Sequence, residues 1–96
     1  MNVSFHPEAE AEFISAIEYY EDIKPGLGLD FALEVQSAIS RASKYPQAWQ
    51  ELDKNIRRTL VKRFPFGILY SEAENKLFIL AVMNLHREPN YWKIRK

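Results

Sequence analysis

From Pro7 to Lys44 the apolar residues recur at helical spacing, and from Ile56 onward they gather into short runs rich in β-branched and aromatic side chains. Phe13, Ile14, Ile17 and Tyr20 form a stripe at helical steps, which predicts a first helix. His6-Pro7 marks its start, because proline's fixed φ and missing N–H suit the first helical position. Glu8, Glu10 and Glu12 then lie toward the positive end of the helix dipole. Pro25-Gly26 ends this helix. A second helix is predicted over 29–44, with Phe31, Val35, Ile39 and Ala42 as its inner stripe. Tyr45-Pro46 closes it, and Ala48-Trp49 reads as a small apolar plug under the connecting loop. Ahead of both helices, Val3-Ser4-Phe5 alternates as a short strand.

Three further strands are predicted over 57–63, 66–71 and 76–85, divided by Phe64-Pro65 and by a polar turn at 72–75. Consecutive strands at such spacing make an antiparallel meander. The last is apolar on both faces, so it is expected in the middle of the sheet and covered on both sides. The predicted fold class is α+β: one domain over 1–96, with two N-terminal helices packed on one face of a small twisted antiparallel β-sheet. Phe13, Ile17, Phe31, Val35, Ile39, Phe78 and Leu80 are expected in the core. Leu29 and Leu33 fall off the inner stripe of the second helix. They read either as a second packed side or as a groove for a partner helix.

The 96 residues are 47% apolar and 27% charged, enough to bury a core without staples. No cysteine is present, which excludes disulfides, thiolate metal sites and cysteine nucleophiles. The longest apolar run, 77–83, is 7 residues, far short of a membrane span. With no secretory pattern at the start of the chain, the expected location is the cytoplasm, with no membrane partner. A net charge of zero conceals an asymmetry: residues 1–55 hold ten acidic against four basic side chains (−6), and residues 56–96 hold three against nine (+6). Either two layers carry complementary charge, or a basic surface meets an acidic or anionic partner. A pI near 6.7 argues against tight nonspecific nucleic-acid binding, and direct sequence-specific DNA binding by this chain alone is not expected.

Gly26, Gly28 and Gly67 do not form a phosphate-cradling loop, and neither His6 nor His86 has a second ligand at metal spacing. No metal or cofactor is therefore expected. The informative residues are two cationic segments. One is Arg57-Arg58 with Lys62-Arg63; the other is His86-Arg87 with Lys93, Arg95 and Lys96. Phe64, Phe66, Tyr91 and Trp92 are interleaved with them. Guanidinium forks grip phosphates and aromatic rings stack on bases, while His86 and Tyr91 are candidate proton carriers. The plain alternative is that Tyr91 and Trp92 dock a C-terminal helix after Pro89.

The chain resembles the RelE/ParE superfamily of type II toxin–antitoxin modules, small bacterial proteins often named plasmid stabilisation proteins. The resemblance rests on His6-Pro7-Glu8-Ala9 with Ala16-Ile17-Glu18-Tyr19-Tyr20-Glu21, and on Pro25-Gly26-Leu27-Gly28-Leu29-Asp30-Phe31. It continues through Ile56-Arg57-Arg58, Arg63-Phe64-Pro65-Phe66-Gly67-Ile68-Leu69-Tyr70, Ile79-Leu80-Ala81-Val82 and His86-Arg87-Glu88-Pro89-Asn90-Tyr91-Trp92.

That resemblance implies a toxin restrained by a cognate antitoxin. In one branch the toxin cuts messenger RNA on the ribosome; in the ParE-like branch it inhibits DNA gyrase. The ribonuclease branch carries an arginine where this chain has Gly67, and many relatives carry a histidine where it has Asn84. The incomplete set favours the ParE-like branch, with Arg87, Tyr91, Trp92, Lys93 and Arg95 as target-binding residues. If the protein is a metal-independent ribonuclease instead, the candidates are Arg58, Arg87, His86 and Tyr91. A third reading is a degenerate, non-toxic module that only binds an antitoxin. Leu29 and Leu33 are the candidate antitoxin contacts in each case.

Overall fold

The computed structural model describes residues 1–95. Its elements run β1 (Asn2–Phe5), α1 (Pro7–Ile23), α2 (Leu27–Lys44), β2 (Glu51–Asp53), β3 (Ile56–Leu60), β4 (Phe66–Ala73) and β5 (Lys76–Asn84), then a 3₁₀ tail, Tyr91–Arg95. The α+β class is as expected, with an opening strand, two helices and one five-stranded sheet in the order β1-β5-β4-β3-β2. The sheet is mixed rather than wholly antiparallel. β2 to β5 run antiparallel, but β1 pairs with β5 in parallel, Asn2 opposite Lys76 through Phe5 opposite Ile79. The excursion through both helices returns the chain on the far side of the sheet, and so permits a parallel pair.

Local chemistry sets the boundaries. His6 Nδ1 accepts the Glu8 N–H at 3.0 Å and caps α1 directly before Pro7. Glu21 accepts from the Gly26 and Gly28 N–H groups at 3.0–3.1 Å, which starts α2 at Leu27, earlier than predicted. Glu74 and Asn75 both have positive φ, forming the two-residue turn between β4 and β5.

Alternating strand residues feed two apolar clusters. On the helix side, Phe31, Val35, Ala38 and Ala42 meet Phe66, Ile68, Tyr70, Leu77, Ile79 and Val82. Tyr20, Phe31, Phe64 and Phe66 add edge-on and tilted ring contacts with centroids 4.8–6.2 Å apart. The other positions supply Ile56, Leu69, Leu80, Ala81 and Met83, which close around Trp92, the consecutive Leu80 and Ala81 falling where the β4–β5 register shifts. Phe31, Val35 and Ile39 are core as expected. Phe13, Ile17 and Phe78 are only half-buried at the margins, Leu80 belongs to the second cluster, and Ile14 is exposed.

Candidate functional site

β1 covers the outer edge of β5 only as far as Ile79. Past that point the Val82 N–H and the Leu80 carbonyl face no strand among the described residues. The chain closes this edge with one carboxylate and one guanidinium. Val82 N–H donates to Glu12 Oε1 at 3.0 Å, and Arg95 Nη1 donates to the Leu80 carbonyl at 3.2 Å. Arg95 also grips Glu12 with both terminal nitrogens, at 2.8 and 3.0 Å. An open strand edge is thus covered by a polar clasp rather than by another strand.

Two more groups converge on the same carboxylate. The Tyr91 hydroxyl donates to Glu12 Oε2 at 2.6 Å and Arg87 Nη1 at 3.2 Å. Two guanidiniums contact the Tyr91 ring, with the Arg87 and Arg95 Cζ carbons 3.6 and 4.9 Å from its centroid. Burial, and then the hydrogen bond to Glu12, raise the Tyr91 phenol above its ordinary range, while Glu12 raises Arg95. Tyr91 is therefore a neutral hydrogen-bond donor at physiological pH.

Beside this clasp a cleft of ≈ 530 Å³ runs between α1 and the ends of β4 and β5, reached by Glu12, Ser15, Asn84, Arg87 and Arg95. Trp92 is buried, and its Nε1 donates to the Pro89 carbonyl at 2.7 Å. The tail is docked, as the plain alternative anticipated.

Part of the charge asymmetry is neutralised within the chain. Every ion pair among the described residues joins a cation of the C-terminal half to a carboxylate of the N-terminal half: Arg57 to Glu51, Arg63 to Asp30 and Glu34, Arg87 to Glu12, Arg95 to Glu8 and Glu12. These pairs set charge of one half against charge of the other, while Arg58, Lys62, Lys76 and Lys93 take part in none of them.

The solved-structure comparison decides the architecture. The chain matches one from a structure titled "Chromosomal ParDE TA system from P. aeruginosa" with a TM-score of 0.76, over 88% of this chain and 96% of that one, at 16% identity. The fold is the one found in a ParDE system. No protein-family model and no curated protein matches the sequence.

On this ParDE-like fold the sequence-derived site residues separate. Arg87, Tyr91 and Arg95 come together on Glu12. Arg58 does not join them: it lies on β3 with its stem against Gly67, whose added Cβ would sit 2.9 Å from Arg58 Cδ. His86 is exposed in the turn after β5, where its backbone N–H donates to Asn84 Oδ1 at 2.9 Å. Of the five residues assigned to target binding, Trp92 is 2% exposed and the Arg95 side chain 5%. Lys93 and Ile94 are exposed, and Lys96 lies outside the described residues. Leu29 and Leu33 are exposed, at 62% and 54%, so most of each residue faces solvent.

Sequence reasoning missed Glu12. Its signal was its position between buried Ala9 and Ala16, three residues before and four after, which places it on the inner face of α1.

Proposed function

We propose that the protein is the toxin of a two-protein toxin–antitoxin module, that it belongs to the ParE-like branch, and that it acts by binding DNA gyrase and is neutralised by a cognate antitoxin. The observation that carries this reading is the shared fold with the ParDE chain. The dispersal of the candidate catalytic groups supports the gyrase target over RNA cleavage. Cutting RNA through its own 2′-hydroxyl needs a base at that hydroxyl and a cation at the phosphate oxygens, both converging on one phosphodiester. Here the Tyr91 proton is committed to Glu12, and Arg58 stands apart over Gly67.

The antitoxin site of this reading is the exposed side of α2 that carries Leu29 and Leu33, one turn apart. A partner helix with apolar side chains at helical spacing would cover them. The gyrase surface comprises Arg87, Lys93 and the exposed side of Tyr91, with Ile94 added at 91% exposure. Substituting Lys93 and Ile94 together tests it, because both can change without disturbing the buried tail anchors.

Ribosome-dependent messenger RNA cleavage is the second reading. It is favoured by Arg58, which has no ion pair among the described residues. Induced expression in a bacterium separates the readings: growth arrest with DNA damage supports gyrase, and rapid transcript cleavage supports the ribonuclease. Unimpaired growth would leave a module that only binds an antitoxin.

A further inference from the structure

The Glu12 carboxylate accepts five hydrogen bonds from four residues. Oε1 takes the Val82 N–H at 3.0 Å and Arg95 Nη1 at 2.8 Å. Oε2 takes the Tyr91 hydroxyl at 2.6 Å, Arg95 Nη2 at 3.0 Å and Arg87 Nη1 at 3.2 Å. An ionised carboxylate offers about four lone-pair positions, all in one plane. The charges are unequal as well, two guanidiniums against one carboxylate. Glu8 adds a weak counter-charge, its Oε2 3.7 Å from Arg95 Nε on a side chain 63% exposed.

Guanidinium forks, a hydroxyl and a backbone N–H are the donors that hold phosphate oxygens. A tetrahedral dianion distributes its oxygens out of plane and balances both guanidiniums. Access is also present, because Glu12, Arg87 and Arg95 line the ≈ 530 Å³ cleft together with the polar side chains of Ser15 and Asn84.

We propose that Glu12 occupies, in cis, a phosphate-binding site, and that a phosphate group entering through the cleft takes the site when the Glu12 carboxylate is withdrawn. The ligand is inorganic phosphate or the terminal group of a phosphate monoester. The tail docks on whichever anion fills the site, so phosphate replaces Glu12 as the link between Tyr91–Arg95 and the edge of β5. The site shares Arg87 and Tyr91 with the proposed gyrase surface, but phosphate binding is read without gyrase or antitoxin, so either proposal can fail alone.

The test is a titration of Glu12→Ala with inorganic phosphate, with chloride at matched ionic strength as control. The Val82 amide and Trp92 indole N–H resonances report on the site and the tail. The expected result is a saturable shift of both, with a dissociation constant in roughly the millimolar range. In the wild type, where Glu12 must first be displaced, phosphate should bind at least about tenfold more weakly.

If losing the carboxylate frees the tail, the Trp92 resonance starts at the position of an exposed indole and phosphate returns it to the docked position. Glu12→Ala/Arg95→Ala should lose the response. A parallel titration with uridine monophosphate separates the two sources: tighter binding than inorganic phosphate assigns the monoester, and equal or weaker binding the free ion. The proposal is overturned if phosphate moves the Glu12→Ala resonances no more than chloride does, or if the double variant titrates like the single one.

Discussion

Arg95 and Glu12 form a bidentate pair, Nη1 to Oε1 at 2.8 Å and Nη2 to Oε2 at 3.0 Å, that joins the last described residue to the first helix across the open edge of β5. Their side chains are only 5% and 15% exposed. A pair this buried loses much of its Coulomb gain to desolvation, so its main effect is to fix where the tail sits. Arg87 and Tyr91, the two residues most suggestive of chemistry in the sequence, are drawn into the same contact and act there as structural donors.

Removing one partner should cost more than removing both. Glu12→Ala leaves the buried Arg95 guanidinium with only the exposed Glu8 carboxylate, 3.7 Å away, as counter-charge, and should lower the unfolding free energy by about 3 kcal/mol. Replacing both residues by methionine should cost clearly less. Urea unfolding at neutral pH measures this, and equal losses in the two variants would contradict the clasp.

The Tyr91 phenol gives the pair a pH signature. Its pKa is raised in the folded chain above the ordinary value of 10, so the folded state holds the proton more tightly than the unfolded one. This stability is fully present below pH 10 and is lost as pH rises from there toward the folded pKa. Burial raises Tyr20 and Tyr70 as well, so the wild-type decline has several contributors. Tyr91→Phe should lose about 1.5 kcal/mol at neutral pH with its charge-assisted hydrogen bond. Above pH 10 its stability should fall less steeply than the wild type's. Parallel slopes would show that Tyr91 ionises normally.

Two glycines separate a rigid contact from a compliant one. A Cβ on Gly28 would lie 2.7 Å from the Ile17 carbonyl oxygen, which is backbone of the neighbouring helix. Gly28→Ala should therefore cost about 2 kcal/mol by forcing the helices apart. At Gly67 the obstacle is the flexible stem of Arg58, so Gly67→Ala should cost less than about 1 kcal/mol. Thermal unfolding of the two variants would reveal a reversed order.

What was legible in the sequence was what depends on local spacing. The stripe Phe31, Val35, Ile39 faced the sheet as read, and the Pro7 and Pro25-Gly26 punctuation marked true element ends. β1 beside β5 was not legible, because a parallel pair leaves no signal in the intervening sequence. β2 has three residues, too few for periodicity. Glu12 looked like one more acid near a helix start, since its partners lie 70 to 83 residues away. The cationic segments looked like a surface because their neutralising carboxylates belong to the other half of the chain. Only folding brings Arg63 to Asp30 and Arg87 to Glu12.

The exposed leucines carry the partner prediction. Leu29→Ser/Leu33→Ser removes apolar surface that mostly faces solvent, so circular dichroism and melting temperature should stay close to wild type. Affinity for the cognate antitoxin should fall at least about tenfold if both side chains lie at the centre of the contact. Unchanged affinity would move the antitoxin to another face and leave the toxin reading standing.

The most direct measurement for the proposed function is supercoiling of relaxed plasmid by purified bacterial gyrase in the presence of this protein. A translating extract is assayed beside it for messenger RNA cleavage. The account predicts dose-dependent loss of supercoiling, reversed by the antitoxin and weakened by substitution of Lys93 and Ile94, with transcripts intact. Undiminished supercoiling together with rapid transcript cleavage would contradict it and assign the chain to the ribosome-dependent ribonucleases.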